Sequence, residues 1–175
     1  MYAQRKTVAC STMATPLAYT AQYTHPADAV RAAFADEQYW KDRIEEVGGP
    51  GARLDSFQAS IDQEQVHVEM VQSIPASELP SAITSVRPGD LIIPRTESYA
   101  GFSGTFTAQV QDAPAQVRGT VTLSAEGETS RAVIQGSVEV GIPLFGKKIE
   151  AVVAEKLLEL LASETEFTNT WIANR

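Results

Sequence analysis

The chain has 175 residues, 43% hydrophobic and 21% charged, which is enough apolar material for an ordinary core and not the composition of a disordered segment. Its formal charge of −8 argues against nucleic acid as a partner, since a phosphate-binding surface needs concentrated Lys and Arg. The same balance disfavours electrostatic docking on anionic lipid.

The single cysteine, Cys10, allows no internal disulfide and fits a reducing compartment, the cytoplasm. No stretch approaches the length of a transmembrane span, so no membrane insertion is expected. Residues 1–15 read as a flexible tail and 16–175 as a single domain. Thr7-Val8-Ala9-Cys10 loosely resembles a lipoprotein cleavage site, but the apolar run that export needs is missing before it.

Leu17, Tyr19, Ala21 and Tyr23 alternate with Ala18, Thr20, Gln22 and Thr24, the period of a strand. His25-Pro26 stops it, and Pro26 suits the start of a helix. Ala27 to Phe34 and Asp36 to Val47 then read as two short helices, with Asp36 as N-cap of the second. Gly48-Gly49-Pro50-Gly51 ends them. Arg53 to Ser60 and Glu64 to Ser73 read as strands joined near Asp62. Between Ile74 and Asp90, Pro75, Pro80 and Pro88 leave room for a short helical turn or two at most, with Leu79, Ile83 and Val86 as an apolar edge. Four more strands follow, at Leu91–Tyr99, Gly104–Val110, Gln116–Ser124 and Ser130–Val140, with a tight turn over Ala125 to Thr129 around Gly127.

Pro143 to Ala173 reads as one long amphipathic helix, roughly 45 Å at 1.5 Å per residue, with Pro143 in its first turn. Ile149, Val153, Leu157, Leu160, Phe167 and Trp171 make its apolar stripe. The expected fold is α+β, a curved antiparallel sheet wrapped around this C-terminal helix, with two short helices after the first strand.

Three polar side chains interrupt the stripe. Lys156, Ser163 and Glu164 project within the arc of Leu160 and Phe167, and burying an unpaired charge costs several kcal/mol. Either they reach a rim, or they border a hollow holding water or ligand. The plainer reading of Lys156 is an outward reach to Glu159.

The order of elements, with the words Tyr23-Thr24-His25-Pro26-Ala27, Tyr39-Trp40, Val138-Glu139-Val140-Gly141-Ile142-Pro143-Leu144-Phe145-Gly146-Lys147-Lys148-Ile149-Glu150 and Glu164-Thr165-Glu166-Phe167-Thr168, resembles the SRPBCC superfamily, the START-like or helix-grip domains. Within it the chain is similar to an actinobacterial family of uncharacterised function. The resemblance implies a deep hydrophobic pocket between sheet and closing helix. Relatives use such pockets for lipids, sterols, polyketides and plant hormones, and a few carry out cyclisation or hydration. No catalytic set is shared across the superfamily, so no catalytic residue is carried over.

His25, His67 and Cys10 lack zinc spacing, so no metal is expected, and no cofactor is implied. Gly101-Phe102-Ser103-Gly104-Thr105 fails as a nucleophile elbow, and Gly48-Gly49-Pro50-Gly51 lacks the Lys of a phosphate loop. Two polar constellations remain. His67 and Glu69 share one strand face opposite Val66, Val68 and Met70, and the aliphatic set is the better inward candidate. Arg95, Glu97 and Tyr99 share another face, where Arg95 and Glu97 either pair at a surface or form a polar end to an apolar chamber with Lys156 or Glu164. Tyr39, Trp40 and Trp171 read as core.

The expected partner is a hydrophobic small molecule, lipid-like or polyketide-like. Phe106, Ala108, Val121, Ile134, Leu160 and Phe167 would line its cavity, Arg95, Glu97, Lys156, Ser163 and Glu164 would be the polar candidates, and residues 74–90 would gate the mouth. Two alternatives stand beside it. One is a cyclase or dehydratase with His67–Glu69 or Glu164 as general base. The other is a protein-interaction module using the outer sheet face.

Overall fold

A computed structural model describes residues 14–175. Most of the expected tail, with Cys10, lies outside the described residues. Thr15, placed in that tail by the sequence reading, already opens the first strand. The elements run β1 (Thr15–Tyr23), α1 (Ala27–Phe34), α2 (Glu37–Val47), β2 (Arg53–Ala59), β3 (Gln65–Ile74), a 3-10 turn (Ala76–Glu78), α3 (Ser81–Thr84), β4 (Leu91–Ala100), β5 (Ser103–Gln109), β6 (Ala115–Glu126), β7 (Thr129–Val140) and α4 (Gly146–Ala173).

The seven strands form one antiparallel sheet in the order β1-β7-β6-β5-β4-β3-β2. The long connection through α1 and α2 sends the chain from one edge to the other, and each later strand pairs with its predecessor until β7 meets β1. Val66, Val68 and Met70 on β3, Val117, Val121 and Leu123 on β6, and Ala132, Ile134 and Val138 on β7 are buried on the inner face. Thr105, Thr107, Thr120 and Thr122 on the intervening positions of β5 and β6 are exposed. Period-two alternation thus decides which side holds the core. Phe106 sits opposite Gly119, where a methyl group would come 2.6 Å from its ring and 2.4 Å from the Gln135 carbonyl oxygen. The glycine lets an aromatic ring lie flat on the sheet.

The closing helix α4 packs on β1, β7 and α2, and its 28 residues span about 42 Å at the usual rise. It starts at Gly146, three residues beyond the expected Pro143. Leu144 takes φ 68° in the turn before it, and the Gly146 N–H donates to the Ile142 carbonyl at 2.9 Å. A side chain at position 146 would meet the Val140 carbonyl oxygen at 2.5 Å, so the strand end and the helix start fit only around glycine. The buried side of α4 also differs from the expected stripe. Ile149 is buried as expected, but Leu161 lies deeper than Leu160, and Glu150, Glu164 and Thr168 share the covered face.

Glu150 explains its own burial. Its carboxylate accepts from Thr15 Oγ1 at 2.7 Å, from the Val140 N–H at 3.0 Å and from Lys147 Nζ at 3.0 Å. One side chain therefore joins the start of β1, the end of β7 and the first turns of α4. Replacing it by alanine strips the acceptor from a buried backbone N–H, a loss of about 1–3 kcal/mol. Glu150→Ala is expected to lower the unfolding free energy from urea titration accordingly, whereas Lys147→Ala, at the solvent side, should change it by less than about 1 kcal/mol.

Candidate functional site

Four charged side chains from three elements meet beneath α4. Arg43 projects from α2, Arg95 and Glu97 from β4, and Glu164 from α4. Their side chains are only 4%, 9%, 2% and 8% exposed. Arg43 Nη2 lies 3.0 Å from Glu97 Oε1 and 2.7 Å from Glu164 Oε1. Arg95 grips Glu164 with both terminal nitrogens, at 2.7 and 3.2 Å, and reaches Glu97 Oε1 at 2.7 Å. The paired contact of a planar guanidinium with one carboxylate is the strong, directional form of the ion pair.

Neutral groups add to the knot, while the buried Nε–H groups of Arg43 and Arg95 have no hydrogen-bond partner among the described residues. Gln72 accepts from Arg95 at 3.1 Å and donates to Glu164 at 3.3 Å, while the Tyr99 hydroxyl donates to Glu97. The Arg43 guanidinium also stacks 4.7 Å above the Trp40 ring. Burial pushes the Glu164 carboxyl up, but Arg43 and Arg95 beside it win and hold it at about 2. Burial works against the charge of Arg43 as well, and the carboxylates of Glu164 and Glu97 more than offset it, leaving Arg43 firmly protonated.

Aromatic rings wall this knot off from water. Tyr39 and Trp40 are fully buried, as core readings of both predict. The Tyr39 hydroxyl donates to Thr168 Oγ1 at 2.8 Å, and Thr168 in turn donates to the Glu164 carbonyl at 2.7 Å. Phe167 packs on Tyr39 with ring centres 5.8 Å apart, and Trp171, half-buried, meets Tyr39 edge-on and donates to Asp42 at 2.8 Å.

Beyond the knot, toward the N-terminal half of α4, a cavity of about 390 Å³ lies between sheet and helix. Leu91, Ile93, Phe106 and Ala108 floor it from β4 and β5, Val153, Leu157, Leu160 and Leu161 roof it from α4, and Leu79 and Ile83 close one side. Arg95 and Gln72 form its polar inner wall. Exposed Glu46, Glu78, Gln116 and Glu159 stand on its rim. A second, much smaller void of about 30 Å³ lies among Arg43, Glu97, Tyr99 and Glu164.

Of the candidates read from the sequence, Arg95, Phe106, Ala108, Lys156, Leu160 and Ser163 border the larger cavity. Glu97, Val121, Ile134 and Glu164 border the smaller void instead, and Phe167 lies in the aromatic cluster away from both. Lys156 reaches Glu159 at 2.7 Å, the plainer of its two readings, while Ser163 turns back to the Glu159 carbonyl at 3.2 Å.

His67 and Glu69 do not enter the cavity. Their side chains are 41% and 54% exposed on the outer face, where His67 Nδ1 contacts Ser98 Oγ at 2.8 Å. Val66, Val68 and Met70 occupy the inner positions because apolar area drives that side of the strand inward.

Arg43 and Gln72 were missed. Arg43 lies three residues after Trp40 on the face that also carries Ile44, and Gln72 continues the inward parity of Val66, Val68 and Met70, so both signals were present.

Removing one member of the knot leaves a buried charge without its partner. Arg43→Met is expected to cost about 3–5 kcal/mol in chemical denaturation, far more than loss of an exposed arginine such as Arg118. The knot also fixes a pH dependence. Glu164 and Glu150 each sit at about 2 against an ordinary value of 4.5, so both contribute stability above 4.5 that is lost as pH falls toward 2. The urea midpoint should therefore fall steadily below about pH 4.5, and Glu164→Gln should flatten part of that slope.

Residues 18–172 match the family described as "Protein of unknown function (DUF2505)". Uncharacterized proteins of Mycobacterium bovis and Mycobacterium tuberculosis are each 32% identical over 165 residues, spanning 89% of this chain and 95% of theirs. Among solved structures, a protein from Thermus thermophilus superposes with a TM-score of 0.61 at 15% identity, over 91% of this chain and 97% of that one. A START superfamily protein from Mycobacterium smegmatis gives 0.54 at 13% identity, over 91% and 97% of the two chains. An aromatase/cyclase from a Streptomyces species gives 0.52 at 12% identity, over 87% and 92%. At such identities the likeness carries the fold alone. The match along nearly the whole chain and the open sheet packed against α4 agree: the protein belongs to this family of unknown function, and its fold is the START-like helix grip.

Proposed function

We propose that this protein holds a hydrophobic small molecule, lipid-like or polyketide-like, between its sheet and α4. The observation that carries this reading is the cavity of about 390 Å³. Protein interiors are close-packed, with few voids larger than a water molecule, whereas small-molecule sites run from about 300 to 1,000 Å³. An apolar chamber of that size is sustained at a cost in lost contacts unless something fills it. Phe106, Ala108 and Leu160 would grip the apolar body, and Arg95, Lys156 and Ser163 would meet polar ends. The segment between Pro75 and Asp90 is the natural gate. It covers one side through Leu79 and Ile83, and a hydrogen bond from the Ala76 N–H to Asp90 at 2.8 Å clips its two ends together.

Catalysis in the same cavity draws less support from the geometry. His67 and Glu69 face outward, and Glu164, held at about 2 by two guanidinium groups, is a weak base. The interaction-module reading fares similarly. Among the described residues the exposed large hydrophobic side chains, Ile61, Val86, Phe102, Leu144, Phe145 and Leu158, sit in turns, loops or α4 and not on the outer sheet face.

The test is native mass spectrometry of the delipidated protein after exposure to a cell lipid extract. A retained small-molecule adduct is expected. Ala108→Trp, which fills the chamber from β5, should abolish the adduct while keeping the unfolding free energy within about 1.5 kcal/mol of the parent. Absence of any adduct in the parent protein, or an adduct undiminished in Ala108→Trp, counts against this reading.

A further inference from the structure

The charges around the chamber bear on which hydrophobic molecule it accepts, an inference that rests on the binding reading above. Arg95 is the one charge of the knot on the chamber's inner wall, and behind it Glu97 and Glu164 pair with both Arg95 and Arg43, so the knot sums to zero. Glu164 is held by Arg95 through both oxygens and by Arg43 through one, so the knot has no surplus positive charge for an arriving anion, although the buried Nε–H of each arginine lacks a hydrogen-bond partner among the described residues. A ligand carboxylate pressed against this wall would shed its hydration against a guanidinium whose charge two carboxylates behind it already offset. An uncharged hydroxyl, ketone or ester has far less hydration to lose.

The rim points the same way. Glu46, Glu78 and Glu159 border the mouth together with one cation, Lys156, and three negative charges against one positive leave it at −2. The Lys156 ammonium is itself already engaged by Glu159 at 2.7 Å. Low-dielectric walls focus such a field into the opening, so approaching anions are repelled before they reach the chamber.

We infer that the chamber discriminates against anionic amphiphiles and takes uncharged ones, long-chain alcohols, ketones or esters, in preference to carboxylates of equal length. The test uses the full chain loaded with Nile red, an uncharged dye. The dye is displaced by decan-1-ol, decyltrimethylammonium or decanoate near pH 8, each below the concentration at which it self-associates.

Decanol is expected to displace at the lowest concentration and decanoate at the highest. The ammonium compound should be at least about tenfold more effective than decanoate, a comparison of two charged heads that isolates the sign of the field. Glu164→Gln gives the knot a surplus positive charge and should improve decanoate several-fold. Should that variant fail to fold, the surface double variant Glu78→Gln/Glu159→Gln should narrow the gap between decanoate and the ammonium compound at least about threefold.

Decanoate matching or surpassing the ammonium compound in the parent protein overturns the charge selection and leaves the binding reading standing. A gap that stays the same in the rim double variant also overturns it. Failure of the protein to take up Nile red, with no response to any of the three compounds, overturns both.

Discussion

Two guanidinium groups and two carboxylates are buried together between α2, β4 and α4, and the placing of the closing helix depends on them. Such a knot is a poor source of net stability, because desolvating four charges consumes most of what their attraction returns. Its effect is on register. Leu157, Leu158, Leu160 and Leu161 put apolar surface on several sides of α4, so hydrophobic burial alone accommodates more than one rotation about the helix axis. Only one rotation sets Glu164 between Arg43 and Arg95. That rotation in turn brings Thr168 to Tyr39 and leaves Leu160 over the chamber.

Most of the strands were legible because alternation is a local signal. Each of β3, β6 and β7 announces its buried side by residue type alone. The long helix was legible as an element, but its buried face was misjudged by about one position, with Leu160 chosen over Leu161. The reason is physical: the deepest positions on α4 include Glu150, Glu164 and Thr168, and a polar residue counts as outward in any periodicity argument until its partners are known. Those partners come from distant parts of the chain. Glu164 was recognisable as an anomaly on the apolar arc, yet the cations that resolve it lie 121 and 69 residues earlier, at Arg43 and Arg95. The late start of α4 at Gly146 escaped notice for a related reason, since the obstruction at Val140 exists only once strand and helix are folded back on each other.

The sequence words that carry the family resemblance turn out to be joints. His25 Nε2 contacts the Asn169 carbonyl at 3.0 Å, the Thr24 N–H donates to the Asn169 side chain at 2.9 Å, and Ser130 donates to the His25 carbonyl at 2.8 Å. Together these ties fasten the end of β1 to the last turns of α4. The run from Val140 to Glu150 fastens the other end. Residues of this kind identify an architecture while saying little about what it contains, which is why family and fold are legible in the chain while its contents require the cavity.

The helix is thus anchored along its length, by Glu150 near its start, by Glu164 beyond its middle, and by Asn169 and Trp171 near its end. The short stretch from Pro75 to Asp90 touches the chamber through Leu79 and Ile83 and takes part in none of those attachments. Preserving the frame and choosing the cargo are consequently inscribed in separate parts of the polypeptide. Descendants of such a protein are free to exchange one occupant for another by editing a proline-bounded flap, while the scaffold beneath it stays as it was.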